Sequence, residues 1–166
     1  MCAKMAANAS IVIVEPLLSS DAIALAQSIA IEVDAFPDAA EEFGLFTAFA
    51  RVLVARMASE AQVIGFAAAR WRGREAYVER LAVDRHCRRR GVGRALLYAL
   101  VTNAQAAQAS GLALHVSVAN GGALRLYRAE DFIVRRRVHR FYRPGVFDRD
   151  GDAYEMYRYV NSPGLA

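Results

Sequence analysis

The chain has little cysteine and no long apolar run, and each of these features excludes some classes of protein. Its 2 cysteines, Cys2 and Cys87, offer neither a disulfide framework nor the spacing of a metal site. No apolar run approaches the roughly 20 residues that span a bilayer, since the early run Ile11–Val14 is interrupted by Glu15 and Pro16. We therefore expect a reduced, cytoplasmic protein with no metal, no membrane association and no signal peptide.

Internal repeats and low-complexity linkers are also absent. With 55% hydrophobic residues among 166, the chain has enough apolar surface to form a core, which excludes general disorder. The net charge of +4, from 21 basic and 17 acidic residues, is mild and suits a protein that binds anions. We predict one domain over residues 1–166, with residues 1–10 as a flexible N-terminal extension.

Hydrophobic patterning predicts strands and helices in the order β-α-(α)-β-β-β-α-β-α-β-β. The predicted strands are "IVIVEPLL", Ala48–Arg56, Gln62–Trp71, "AYVERLAV", "LALHVSV", Phe132–Tyr142 and Tyr154–Val160. The best-defined helix runs from Val92 to about Ser110, where Gly111 is expected to end it in the C′ position. A strand, a helix and a strand in the middle of the chain imply one parallel pair. The expected fold is α/β, with a single mixed, mostly antiparallel sheet and helices on both faces.

The stretch "VDRHCRRRGVGRALL" joins five arginines and two glycines at the entrance of that helix. The first turn of a helix leaves about four N–H groups unpaired, and the helix dipole is positive there, which favours an anion. The stretch is not a P-loop, because no Gly-Lys-Ser/Thr follows, and it lacks the third glycine of a dinucleotide fingerprint. A basic loop that binds nucleic acid is the alternative interpretation.

Two stretches, "LAVDRHCRRRGVGRALL" and "NGGALRLYRAEDF", resemble the two signatures of the GNAT N-acetyltransferase superfamily. The resemblance implies the GNAT fold, with the central parallel pair splayed at the cofactor site, and acetyl-CoA as co-substrate. It implies the cofactor-binding residues Leu81, Ala82, Val83, Arg88, Arg89, Arg90, Gly91, Val92, Gly93, Arg94, Asn120, Ala123 and Tyr127. Arg85 and Cys87 depart from the family pattern, as does Asp131 in place of a glycine. Because aspartate tolerates the left-handed backbone, we expect the turn at Asp131 to form.

The same resemblance assigns the chemistry. Tyr127 matches the tyrosine that serves as acid for the leaving thiolate, and the alternative for it is a core tyrosine. Glu79 is the candidate base, because residues 77, 79, 81 and 83 share one face of their strand; the alternative is a salt-bridged glutamate. Asn120 is a helix N-cap, a ligand of the pantetheine arm, or both. A backbone N–H near Val83 is the expected donor to the carbonyl oxygen.

The acceptor is predicted from the C-terminal part, which is similar to the end of protein N-terminal acetyltransferases, including the ribosomal-protein alanine type. The matching stretches are Phe141-Tyr142 and Asp152–Met156. The predicted substrate-binding residues are Phe36, Pro37, Tyr77, Glu79 and Tyr142. The protein is expected to be a monomer or homodimer that acetylates a protein or peptide α-amine and binds no nucleic acid.

Other functions remain open. A small amine such as a polyamine, an aminoglycoside or an amino acid is the alternative acceptor. Glu79 with Asp38, Glu41 and Glu42 would offer a cation an acidic cleft, but Glu41 and Glu42 could equally lie in the first turn of a helix. A non-catalytic acyl-CoA sensor or a nucleic-acid-binding module is the third candidate. Against the latter, the basic run Arg135–Arg137 lies in a predicted strand, where alternation should prevent a continuous patch. His115, in an apolar strand, is expected to be a satisfied core residue.

Overall fold

The computed structural model describes residues 11–36, 51–143 and 149–160. The strands are β1 (Val12–Pro16), β2 (Arg51–Met57), β3 (Val63–Arg72), β4 (Glu75–Val83), β5 (Gly111–Ser117), β6 (Ile133–Val138) and β7 (Ala153–Tyr159). The helices are α1 (Ala22–Ala35), α2 (Val92–Ala106) and α3 (Gly121–Ala129), and a 3-10 turn covers Arg85–Cys87. The predicted N-terminal extension and the predicted second helix lie outside the described residues.

The strands form one seven-stranded sheet in the order β1-β2-β3-β4-β5-β7-β6. β4 and β5 are parallel, whereas the β1–β2, β5–β7 and β6–β7 pairs are antiparallel. The predicted mixed sheet with one central parallel pair is therefore confirmed. The parallel pairing runs from Glu75 and Gly111 to Val78 and Leu114, and both strands continue beyond it.

Contacts divide the chain into two units, the first made of residues 1–68 and 80–99 and the second of residues 69–79 and 100–166. Neither unit is continuous in sequence, because β3, β4 and α2 each contribute to both. The single domain over residues 1–166 stays a prediction.

In the first unit, α1 and α2 pack on opposite faces of the sheet. Ala24 and Ile31 of α1 belong to a buried cluster with Phe66 and Ala68 of β3. On the adjoining position Gly65, a Cβ would lie 3.1 and 3.4 Å from side-chain atoms of Val92 and Leu96 in α2. Since successive strand residues point to opposite faces, the two helices cover the two sides of β3. Helices on both faces are thereby confirmed for this unit.

The C-terminus of α2 differs from the prediction. The helix ends at Ala106, and Gln108, not Gly111, adopts the left-handed conformation with φ 54°. The N–H of Ala109 donates to the carbonyl of Ala104 at 2.9 Å, and the N–H of Gln108 donates to that of Gln105 at 2.9 Å, which is a Schellman motif. Ala109 is 1% exposed, so burial of this small side chain accompanies the turn.

Gly111 is instead the first residue of β5 and is required by packing. A Cβ at this position would overlap the carbonyl oxygen of Arg158 and the phenol ring of Tyr157. A glycine after an apolar helix is consistent with a helix cap or with the close approach of another strand. Here the left-handed conformation falls on Gln108, so the close approach of β7 explains Gly111.

In the second unit, the turn after α3 forms as predicted at Asp131, whose φ is 63°. The N–H of Phe132 donates to the carbonyl of Tyr127 at 3.0 Å, and that of Asp131 donates to the carbonyl of Arg128 at 3.2 Å. This second Schellman motif places Phe132, 3% exposed, in the core, which links the end of the helix to the packing of the unit.

The final hairpin is shorter than predicted on its first strand. β6 ends at Val138 instead of Tyr142, and Arg140 has φ 51°. A bulge between Val134 and Arg136 interrupts the β6–β7 register. None of the described helices combines the length and apolarity needed to cross a membrane.

Candidate functional site

The glycine-arginine loop is shaped by its backbone. Arg89 and Gly91 have φ values of 63° and 83°, and the carbonyl of Gly91 accepts the first α2 hydrogen bond, from Ala95 at 3.0 Å. Apart from Gly91 and its two chain neighbours, no described residue has an atom within 4 Å of a Cβ placed on Gly91, so this glycine serves the backbone conformation and leaves open space beside it. The first N–H groups of α2 have no acceptor within the helix.

Two arginines of this loop are held by the protein. Arg88 donates from Nε to the carbonyl of Val83 at 3.1 Å, and its guanidinium lies 4.0 Å from the Asp34 carboxylate. Arg85 lies 3.6 Å from the same carboxylate and donates to Nε2 of His86 at 3.0 Å. Two of the five positive charges of the stretch therefore contact an acidic residue at the end of α1.

The two unexplained departures in this stretch are structural. The carboxylate of Asp84 accepts from the N–H of His86 at 2.8 Å and caps the 3-10 turn. The N–H of Cys87 donates to the Asp84 carbonyl at 2.9 Å, and Cys87 is 2% exposed. Cys87 therefore anchors the turn as a small apolar residue, while Arg85 contacts Asp34 from the exposed side.

The burial of the other predicted cofactor residues in the first unit follows the alternation expected for a strand and a helix. Ala82 is 4% exposed and belongs to the cluster beneath α1, whereas its neighbours Leu81 and Val83 are half-buried. In the loop and α2, Val92 is buried, and Arg89, Arg90 and Arg94 are exposed.

In the second unit, Asn120 caps α3. Its Oδ1 accepts from the N–H of Ala123 at 3.0 Å, which confirms the N-cap interpretation, and the side chain remains exposed. Tyr127, on the buried side of the same helix, is 8% exposed, and its ring lies 5.6 Å from that of Phe132. Burial raises the pKa of Tyr127 to about 12, so its hydroxyl stays protonated at neutral pH.

Glu79, the predicted base, is held in a pair with arginine. The Arg70 guanidinium lies 3.2 Å from one Glu79 oxygen and donates to the other at 3.3 Å, and Arg72 lies 4.0 Å away. The Glu79 side chain is only 6% exposed. Its carboxylate is thus positioned by charge-assisted contacts from β3.

His115 and its neighbours form a cluster that we name the imidazole cluster: Tyr77, His115, Phe141, Tyr142 and Glu155. The Tyr77 hydroxyl is 2.7 Å from Nδ1 of His115, and Nε2 lies 3.8 Å from the Glu155 carboxylate. Phe141 stacks on the imidazole with centroids 4.0 Å apart and planes within 5°. The Tyr142 hydroxyl donates to the His115 carbonyl at 3.2 Å.

The electrostatics of this cluster favour a neutral imidazole. Burial lowers the pKa of His115 from its ordinary 6.5; Glu155 opposes the change, and Arg136 and Arg72 add to it. His115 has neighbours at both ring nitrogens, as expected, but it is half-buried and does not belong to the core. Its position beside Tyr77 and Tyr142, two predicted substrate residues, was not foreseen, because it depends on cross-strand register. Glu155 lies opposite His115 because β5 pairs with β7, and these strands are not consecutive in the sequence.

Asp152 organises the hairpin that carries Phe141 and Tyr142. Its carboxylate accepts from Nε of Arg137 at 2.8 Å and the N–H of Arg140 at 3.0 Å, and contacts Nδ1 of His139 at 2.9 Å. The Arg140 N–H chiefly holds the pKa of Asp152 below its ordinary value, against desolvation, with smaller help from Arg137 and His139.

The basic run of β6 does not follow simple alternation. Because of the bulge, Arg135 lies over the Tyr157 ring, 3.4 Å from its centroid, and Arg136 pairs with Glu155 at 2.6 Å on the same face. The premise that alternation separates consecutive arginines is therefore wrong here. Arg135 and Arg136 are each paired with a glutamate, which limits their availability to nucleic acid.

Phe36 is half-buried against the first unit's core, and the Arg80 guanidinium lies 5.6 Å from its ring centroid. Arg80 also pairs at 2.9 Å with Glu32, a fully buried residue of α1. Pro37 and the acidic group Asp38, Glu41 and Glu42 lie outside the described residues.

Comparison with known proteins gives one family and one fold. The model of the acetyltransferase (GNAT) family matches residues 23–132, and no curated protein matches the chain in sequence. The ribosomal-protein-S18-alanine N-acetyltransferase from Escherichia coli has a TM-score of 0.79 and 25% identity, over 93% of this chain and 97% of its own.

Two further solved structures share the fold. NAA60 from Arabidopsis thaliana, in complex with acetyl-CoA, has a TM-score of 0.75 and 24% identity over 92% of this chain and 100% of its own. An IAA acetyltransferase from Bacillus cereus has a TM-score of 0.74 and 18% identity over 90% and 99%.

Proposed function

The chain belongs to the acetyltransferase (GNAT) family and is an acetyl-CoA-dependent transferase, and we propose that it acetylates the α-amine of a protein or peptide. The observation that carries this proposal is the imidazole cluster, in which the His115 ring lies against Tyr77 of β4 and Phe141 of the final hairpin. An aromatic wall suits the backbone and first side chains of a peptide. The similarity to the alanine N-acetyltransferase from Escherichia coli supports the same acceptor class.

Acetyl-CoA would supply an activated acetyl thioester. For its diphosphate we propose the entrance of α2, where Gly91 leaves open space and the helix dipole is positive. The exposed Arg89, Arg90 and Arg94 add positive charge there. Leu81, Ala82 and Val83 are proposed to present their backbone to the pantetheine arm, and Asn120 and Ala123 to contact it from α3.

His115 is proposed as the general base. Because its pKa is lowered, the imidazole is neutral at pH 7 and can accept the proton that the acceptor nitrogen loses as the new C–N bond forms. The proposal uses the tautomer in which Nδ1–H of the neutral ring donates to the Tyr77 hydroxyl oxygen, 2.7 Å away, so that Nε2 is the atom that takes the proton. Glu155, 3.8 Å from Nε2, would stabilise the resulting imidazolium.

Tyr127 is proposed to stabilise the leaving thiolate. With a pKa of about 12, its O–H is far less acidic than a thiol of pKa about 8.5. Complete proton transfer to sulfur would be uphill, so Tyr127 acts as a hydrogen-bond donor while the C–S bond breaks. Glu79 remains a competing proposal for the base, although its carboxylate is already paired with Arg70.

An α-amine suits this arrangement better than a lysine side chain. The α-amine has a pKa of about 8, so a useful fraction is neutral at pH 7, whereas lysine, at about 10.4, is more than a hundredfold scarcer as the neutral form. A weak base such as a partly buried imidazole then suffices. We further propose that the protein acts in the cytoplasm.

The test is acetyl-CoA turnover on a panel of peptides with free N-termini, matched by the same peptides with blocked N-termini and by small amines. We expect turnover of free peptides and none of blocked ones. Turnover confined to polyamines, aminoglycosides or amino acids would replace the proposal with the small-amine alternative. Mass spectrometry of the product locates the acetyl group on the α-nitrogen or on a side chain.

A further inference from the structure

One face of the sheet in the second unit carries unequal charge. Among the described strand residues that share this face with Tyr77 and His115, four are arginines and three are glutamates. The arginines are Arg70, Arg72, Arg135 and Arg136, and the glutamates are Glu75, Glu79 and Glu155. With the imidazole neutral, the face has one positive charge in excess.

Three of the arginines are matched to the three glutamates. Arg135 lies 3.8 Å from Glu75, and Arg136 contacts Glu155 at 2.6 Å. Arg70 reaches both oxygens of Glu79, at 3.2 and 3.3 Å, so that carboxylate is already held in two places. The remaining positive charge on this face therefore belongs to Arg72.

Arg72 is both exposed and close to the proposed acceptor site. Its side chain is 63% exposed, and its nearest approach to Glu79 is 4.0 Å. Its guanidinium carbon lies 4.6 Å from the centroid of the Tyr77 ring, whose hydroxyl bonds the imidazole. The Tyr77 ring thus lies between the Arg72 guanidinium and His115. Two or three extended peptide residues, at about 3.4 Å each, would span this separation.

We propose that Arg72 selects acceptors that carry a carboxylate near the reacting amine, so that the acceptor is an acidic N-terminal peptide. This inference rests on the proposed function, since it names the substrate class for the same site. A guanidinium presents paired N–H donors that match a carboxylate, and stacking on Tyr77 holds its plane in place. Both Arg72 and Arg136 also lower the pKa of His115, which shows that their field reaches the imidazole.

The same charge excess disfavours cationic acceptors. A lysine or arginine in the first residues of a peptide, or a polyamine, would meet Arg72 and Arg136 without an unmatched carboxylate on this face. The preference is electrostatic, so it weakens as salt screens the exposed guanidinium.

The experiment compares kcat/KM for peptides that differ only in having Glu, Gln or Lys at the second or third position. We expect Glu over Gln by about fivefold at one of these positions, as for an exposed ion pair of at most about 1 kcal/mol, and Lys below Gln. Raising salt to about 0.5 M should shrink the difference.

Variants at the end of β3 and in the turn after it complete the test. Arg72→Gln should bring the Glu-to-Gln ratio close to one, and Arg72→Glu should reverse the order so that Lys is preferred. Arg74→Gln makes the same charge change in the adjoining turn and should keep the ratio. Activity of each variant on the Gln peptide shows that it is folded.

Two outcomes overturn the inference in different ways. Equal rates for Glu and Gln peptides, or a preference that survives Arg72→Gln, would refute the role of Arg72 and leave the peptide acceptor standing. No turnover of any peptide would refute the proposed acceptor class and this inference with it.

Discussion

The glycine-arginine loop and the imidazole cluster are built in contrasting ways. In the loop, the decisive features are backbone conformation, with φ 83° at Gly91, and the start of α2. In the cluster, side chains from β4, β5, β7 and the final hairpin meet around one imidazole. We therefore expect the loop to be more sensitive to changes of backbone conformation, and the cluster to be more sensitive to changes of side chain.

The largest expected effect comes from removing the imidazole. His115→Gln should lower kcat by at least about 100-fold, the usual contribution of a general base. In the wild type, kcat/KM should fall as pH drops below 6.5, because the lowered pKa of His115 places its protonation there and an imidazolium cannot accept a proton. Rate–pH profiles of both proteins test this.

The control for this prediction is His139→Gln, which changes a histidine that contacts Asp152 and not the cluster. It should leave the midpoint of the acidic limb where it is. If Glu79→Gln, and not His115→Gln, abolishes the acidic limb, the base is Glu79.

A smaller effect is expected from Gly91→Ala, which tests the backbone side of the comparison. The left-handed conformation costs a residue with a Cβ about 1–2 kcal/mol, and the surrounding space is open, so no clash adds to it. We expect KM for acetyl-CoA to rise about tenfold, with KM for the peptide unchanged.

Gly73→Ala is the matched control, since Gly73 has φ 61° and equally open surroundings in the β3–β4 turn. Because both alanines would carry the same backbone strain, Gly73→Ala should lower the melting temperature as much as Gly91→Ala does, without raising KM for acetyl-CoA. Equal KM values in the two variants would show that the loop binds no cofactor.

Asn120→Ala should cost about 1 kcal/mol of stability through loss of the α3 cap. Asn120→Asp keeps an acceptor for the N–H of Ala123 and should retain the stability. Thermal unfolding of both variants measures the cap, and KM for acetyl-CoA reports the proposed pantetheine contact. A raised KM in Asn120→Asp, at wild-type stability, would assign both roles to this residue.

The smallest effect should follow Tyr142→Phe, which removes one hydrogen bond to the His115 carbonyl and leaves the ring. A loss of about 0.5–1.5 kcal/mol corresponds to a few-fold change. We expect it in KM for the peptide and not in kcat. A loss in kcat as large as that of His115→Gln would place Tyr142 in the chemical step.

The sequence predicted residues whose roles depend on local backbone, but not those whose roles depend on contacts between strands. Asn120, Asp131 and Gly91 have roles set by neighbours within a few residues, so propensity and capping rules identified them. His115 and the adjacent arginines on β6 could not be identified in this way. Their environment depends on which strands pair, in what register, and where a bulge falls.

Gly111 is a third case, in which the glycine was correctly singled out but its predicted role, as the C′ residue of the helix, was wrong. A glycine after an apolar helix is consistent with a C′ residue, but here Gln108 accepts the left-handed conformation. The glycine is needed because Tyr157 and Arg158 of β7 approach it, and that contact spans nearly fifty positions of chain. Long-range packing of this kind leaves no mark in the sequence around the residue itself.

The anchoring of the final hairpin by Asp152 has a consequence for how such a protein can diverge. The carboxylate ties Arg137, His139 and Arg140 to the start of β7, and the N–H of Tyr142 donates to the Gly151 carbonyl at 2.9 Å. The stem is thus closed at Tyr142 and Gly151. We expect this closure to keep the β6–β7 register through substitutions at exposed positions of the two strands, so that their surface can diverge without loss of the fold.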